Sequence, residues 1–228
     1  MQIESIRNQT VSTQEIWLWR NFHEDNREIN LKNFNIDKIF DHNINWKFYG
    51  RFTAGLLAQT DYIAIFDDDT IPGKRWFENC LESIDKCNGI LGSAGVILHS
   101  RKYGKHTRVG WPSHNEQIKQ VDLVGHAWFF RSEWLKYIWF EKPFMLDNGE
   151  DIQFSYLAQK YGDIDTFCPP HPANDKSLHG STQPMKLGMD RVATSKNKAI
   201  PHRVFYGQRN RCVSHAIDNG WKTINNIK

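Results

Sequence analysis

Apolar residues occur along this chain in short blocks, and the spacing inside the blocks changes from one to the next. Residues 14–20 hold Ile16, Trp17, Leu18 and Trp19 in near-continuous order, which predicts a buried strand. Residues 21–35 are polar and read as a loop. Residues 50–60 place Phe52, Leu56 and Gln59 at helical spacing around small Ala54 and Ala58, predicting a helix. Tyr62 to Phe66 is a continuous apolar run, the pattern of a parallel strand buried on both faces. After the Pro72-Gly73 turn, Trp76, Cys80 and Ile84 repeat at i, i+4 and predict a helix packed back on the sheet. Strand patterns follow over 89–99 and 121–130, and Ile152, Leu157 and Tyr161 suggest a further helix. Residues 100–120, rich in Gly, His and Lys, read as a long functional loop. Strands alternating with helices predict an α/β fold in a single domain.

The run 62–66 ends in Asp67-Asp68-Asp69. In open α/β sheets, ligands sit beyond the carboxyl ends of strands. Three adjacent carboxylates repel one another, and a divalent cation offsets that cost. All-oxygen donors suit Mg²⁺ or Mn²⁺, which keep positions open for substrate phosphates. A plain solvated turn accounts for one aspartate as a helix cap, but three after an apolar strand exceed what a cap needs. Asn148-Gly149-Glu150-Asp151 opens the predicted later helix. Its two acids complement a helix N-terminus electrostatically or, at a cleft, accept a proton.

Composition narrows the partners. A net charge of +3 does not force a nucleic-acid partner. The basic residues cluster between Lys186 and Arg211, which suits either a solvated surface or a lid that closes over a diphosphate. The 9 Trp suit sugar stacking as well as core packing. No apolar run approaches the ~20 residues that span a bilayer. The start, Met1-Gln2-Ile3-Glu4, lacks a signal-peptide pattern, and the 4 Cys form no C-x-x-C pair. A cytoplasmic location is the expectation.

Ile65-Phe66-Asp67-Asp68-Asp69-Thr70-Ile71-Pro72-Gly73 resembles the Asp-x-Asp segment of GT-A-fold glycosyltransferases, both the family-two group and the exostosin-like hexosaminyltransferases. Residues 6–10 leading into 15–19 are similar to the first helix and second strand of family-two enzymes, and residues 122–130 to a strand that carries an acceptor-side motif. Residues 148–152 are similar to the acidic pair that closes the catalytic centre. The likeness covers roughly residues 1–165.

The resemblance implies a Rossmann-like, mixed, mostly parallel sheet, with residues 1–100 forming the nucleotide half and 101–228 the acceptor half with a C-terminal lid. The family's usual first strand precedes the helix that residues 1–9 resemble, so that strand is expected to be missing or replaced here. The resemblance further implies transfer of a sugar, typically from a UDP-sugar, to a hydroxyl of a glycan acceptor, inverting and dependent on Mn²⁺ or Mg²⁺. Asp69 inherits the metal, with Asp67 assisting or facing the ribose. Asp68 and Arg51 are candidates for the nucleotide and its diphosphate. His179 is a candidate to complete the metal shell. Asp151, or else Glu150, is the base, and Trp128 and His126 are sugar contacts.

Two other classes remain open on sequence alone. A haloacid-dehalogenase-type phosphatase also places Asp-x-Asp after an apolar strand, but that family continues Gly-Thr where this chain has Thr70-Ile71. A degenerate, non-catalytic nucleotide-sugar-binding module accords with the missing strand.

Overall fold

The computed structural model describes residues 1–22, 31, 34–187 and 202–228. The lid expected between Lys186 and Arg203 falls largely on residues outside that set, and so does most of the polar loop at 21–35.

The elements in chain order are α1 (Gln2–Arg7), β1 (Trp17–Arg20), β2 (Lys38–Asp41), α2 (Gly50–Gly55), β3 (Tyr62–Phe66), α3 (Trp76–Cys87), β4 (Ile90–Leu98), β5 (His106–Gly110), β6 (Lys119–Val121), β7 (Leu123–Arg131), α4 (Glu150–Gly162), β8 (Thr166–Cys168), α5 (Pro184–Leu187) and α6 (His202–Asp218). Short 3₁₀ segments span Ser132–Trp139 and Lys176–Leu178. No helix among the described residues is long and apolar enough to cross a membrane.

The fold is mixed α/β. β1 and β2 form a parallel pair. The larger sheet has the order β3-β7-β4-β8-β6, with β5 also paired to β4. Within it β4 and β8 run parallel, and the remaining pairs are antiparallel. Strands from both expected halves share this sheet, so the halves are not separate units.

β3 departs from its expected setting. Its one described strand partner is β7, antiparallel, with Ile65 opposite Trp128. Only Ile65 of its run is buried, and the other four residues are half-buried. Phe66 packs toward Phe77 of α3, with ring centroids 6.1 Å apart, while Ile63 lies against Gly55 of α2. β1 is likewise only partly buried along its length. The second edges of β1 and β3 pair with no strand among the described residues. Residues from both strands line one cleft of 2180 Å³.

Three other expectations shift. The helix at 50–60 stops at Gly55, and Leu56 is half exposed. The loop at 100–120 contains β5, which returns as a hairpin on β4. Tyr161 is exposed at the end of α4, whereas Ile152 and Leu157 are buried. The helix read from Trp76, Cys80 and Ile84 is α3, and all three residues are fully buried.

Candidate active site

Asp67 to Asp69 leave the C-terminal end of β3 and enter the cleft. The turn is held from two sides, by β7 and by α1. Asp67 N donates to His126 O at 2.9 Å, and Thr70 Oγ1 donates to the same carbonyl at 3.1 Å. Gln2 Nε2, from α1, donates to the carbonyls of Asp67 and Thr70, both at 2.6 Å. Fixing the backbone this way aims Asp67 and Asp69 along one side and leaves Asp68 exposed.

His126 faces the same point. It lies in β7 at a positive φ of 66°, a strained setting for a non-glycine residue that turns its ring toward the aspartates. Asp67, Asp69 and His126 each offer a ligand atom, all within 4.8 Å of one another. Its Nδ1 is 3.7 Å from Asp67 Oδ2, and Trp111 meets its ring edge-on at 4.7 Å. Burial lowers the His126 pKa to about 4, against the attraction of Asp69, so the ring is a neutral donor at pH 7. Burial raises Asp67, with Asp68 and Asp151 adding repulsion and Arg51 opposing. Asp69 is raised by burial and then by Asp67. Asp67 Oδ1 is buried and meets Arg51 only as an ion pair at 3.2 Å, without hydrogen-bond geometry. Two oxygen-bearing ligands and one imidazole, short of positive charge, fit a divalent cation.

Arg51 bridges this cluster to the second acidic pair. Its Nη2 is 3.2 Å from Asp67 Oδ1 and 2.9 Å from Glu150 Oε1. Burial opposes its charge, but Asp67 and Glu150 win and raise its pKa. The guanidinium lies over Trp128 at 4.8 Å from the ring centroid. Trp128 is itself 1% exposed and meets Phe52 edge-on at 5.4 Å. It is a core residue under Arg51, which corrects the expectation that it stacks on a sugar.

Glu150 and Asp151 start α4 directly after Gly149. Gly149 has φ 87°, and a Cβ there would lie 2.6 Å from Cys212 Sγ, so only glycine fits the turn. Burial first, then Asp151, raises the Glu150 pKa to about 7, against the pull of Arg51 and Arg209. Asp151 Oδ2 accepts from Arg209 Nη2 at 2.6 Å, and Arg209 Nη1 donates to Asn148 Oδ1 at 3.1 Å. Arg209 belongs to α6 and is held over Tyr103 at 4.0 Å. The sequence marked it only as one cation in a basic stretch, and nothing in the spacing linked it to Asp151.

His179 does not join the aspartates. Its Nε2 bonds Pro172 O at 2.6 Å, and its ring stacks on His171 at 3.6 Å. His126 takes the imidazole position beside Asp67 and Asp69 instead.

The sequence profile of glycosyl transferase family 2 matches residues 2–143. The chain belongs to glycosyl transferase family 2. Among solved structures, this family-2 chain is similar to GalNAc-T7 crystallised with UDP, GalNAc and Mn²⁺. The TM-score is 0.56 at 13% identity, over 96% of this chain and 55% of that one. It therefore spans about half the length of that relative. The likeness establishes the GT-A fold, and the phosphatase reading is set aside. No curated protein sequence matches the chain.

Proposed function

We propose that the chain transfers a hexosyl or hexosaminyl group from a UDP-sugar to a hydroxyl of a glycan acceptor, with inversion. The observation that carries this is the charge balance of the cleft. Asp67, Asp68, Asp69, Glu150 and Asp151 line it, with Arg51 and Arg209 set among them. A diphosphate entering such a site meets net repulsion unless a cation comes with it. Asp67, Asp69 and His126 would hold Mn²⁺ or Mg²⁺, which would supply that charge and stabilise a departing diphosphate. The UDP and Mn²⁺ crystallised with GalNAc-T7 support the donor and cation parts of this reading.

The chain's own residues then divide the work. Arg51 holds Asp67 and Glu150 apart in charge and keeps Asp67 oriented. Asp68, exposed beside them, contacts the nucleotide. Asp151 takes the acceptor proton from the first turn of α4, apart from the aspartates after β3, and Arg209 fixes its direction. The donor side then draws on both expected halves, with His126 coming from the second. The free cysteines agree with a cytoplasmic setting.

Calorimetry of UDP with and without Mn²⁺, followed by turnover with a panel of UDP-sugars, tests the proposal. Metal-dependent binding with turnover is expected. Binding without turnover would favour a non-catalytic module, and no metal-dependent binding would end the reading.

A further inference from the structure

A second cluster of ligating side chains lies outside the carboxylate cleft. His114, His171 and His179 each present a ring nitrogen within 4.8 Å of the others. They come from three loops that converge beside the N-terminal end of α3. Asn115 and His171 form an isolated antiparallel bridge, with His171 N donating to Asn115 O at 2.7 Å, which sets His114 next to His171. Asn79, buried in α3, donates to Pro170 O at 2.8 Å and to Leu178 O at 3.0 Å, clamping the loops that carry the other two. His179 O accepts from Gly73 N at 2.8 Å. The three rings are therefore held by backbone and clamp contacts that do not depend on one another.

The hydrogen bond of His179 to Pro172 O decides its tautomer. A carbonyl accepts, so Nε2 carries the proton and Nδ1 keeps its lone pair. Metal-bound histidines use this same device, with one nitrogen donating to a carbonyl and the other ligating. His171 and His179 are 3% and 4% exposed, and their rings stack at 15°, so one ring must turn out of the stack for both in-plane lone pairs to reach one ion. His114 is exposed and closes the cluster from the solvent side. Burial, then the neighbouring rings, lowers the His171 pKa to about 3, and burial lowers that of His179 as well.

We propose that His114, His171 and His179 form a second metal site, selective for Zn²⁺ over Mn²⁺ and Mg²⁺. Three imidazoles suit Zn²⁺, whereas the carboxylates of the cleft suit the harder ions. Three protein ligands leave a fourth position for water. The metal ties the loop after β5 to the segment after β8. That loop carries Trp111, whose ring meets His126, so the metal braces one wall of the active site. The site stands without the carboxylate reading, because the two clusters share no residue.

The test uses metal-free full-length chain titrated with Zn²⁺ in competition with a chelator, and with Co²⁺ read by its visible absorption. Wild type is expected to show one tight site with a tetrahedral Co²⁺ spectrum. His114→Ala, an exposed change that leaves the core alone, is expected to weaken Zn²⁺ by roughly 100-fold or more, since even outer-shell losses cost 10–100-fold. His179→Ala is expected to abolish the spectrum. The double variant Asp67→Asn, Asp69→Asn is expected to keep Zn²⁺ and lose Mn²⁺-dependent UDP binding. No tight Zn²⁺ site in wild type, or one unchanged by His114→Ala, overturns the proposal. Loss of Zn²⁺ in the double aspartate variant overturns it as well, and assigns the cation to the cleft.

Discussion

The carboxylate cluster at the end of β3 and the imidazole cluster beside α3 each bring three side chains within 4.8 Å. They differ in how the fold tolerates them. Asp67, Asp69, Glu150 and Asp151 carry like charges in a cleft, and Arg51 and Arg209 are spent on holding them. His114, His171 and His179 gather three imidazoles without a carboxylate among them. They are held by backbone bonds and by Asn79. The first cluster is strained without a cation and opens onto a large cleft, as a site for exchange of substrate requires. The second is mostly buried and fixed, as a brace requires. Charge, more than geometry, separates a reactive centre from a structural one here.

The largest expected effects belong to the charged cluster. Asp151→Asn keeps shape but removes the proton acceptor, and the rate should fall about 10²–10⁴-fold with donor binding intact. Steady-state turnover beside UDP calorimetry checks this, and NMR of the product's anomeric centre checks inversion. Near-normal turnover would remove Asp151 from the mechanism. Asp69→Asn should abolish Mn²⁺-dependent UDP binding in the same calorimetry.

Next in size is stability. Arg51→Met leaves Asp67 and Glu150 facing one another without their shared cation. A cost of about 3–5 kcal/mol is expected from denaturant unfolding, since breaking one partner of a buried pair strands the other. Added Mn²⁺ should return part of it. The parallel change beside the imidazoles, Asn79→Leu, removes two hydrogen bonds but no charge, and should cost about 1–3 kcal/mol. Equal costs would erase the distinction between the clusters.

A smaller effect is pH-dependent. The folded Glu150 pKa is about 7, above its ordinary 4.5. The folded state therefore binds the proton more tightly than the unfolded chain between these values. The stabilisation is complete below about 4.5 and is lost as pH rises through 7. Glu150→Gln should flatten the melting temperature across that window relative to wild type. A parallel pH dependence in the two proteins would place the titration elsewhere.

The smallest effect concerns the link between the clusters. Trp111→Leu removes the edge contact on His126 and should cost about 0.5–1.5 kcal/mol, with Zn²⁺ affinity little changed. A loss of UDP binding as large as that of Asp69→Asn would show that the wall itself belongs to the donor site.

The sequence by itself determined the local elements and one half of the chemistry. The apolar run 62–66 ending in three aspartates marks a strand and the ligands at its end, because both signals lie in consecutive residues. The period of Trp76, Cys80 and Ile84 marks α3 for the same reason. Gly149 before Glu150-Asp151 announces a tight turn into a helix. The tertiary structure alone decided which distant side chains meet. His126 lies 57 positions beyond Asp69 and reaches it only because β7 pairs with β3 and a positive φ turns its ring. Arg209 reaches Asp151 across 58 positions from a helix whose period gives no hint of a partner. His179, a plausible third ligand from its position in the chain, is drawn instead to His171 by a carbonyl and a stacked ring. Periodicity reports the face a residue shows. Partners separated by dozens of residues depend on how the strands pair and the loops close, and no local pattern encodes that.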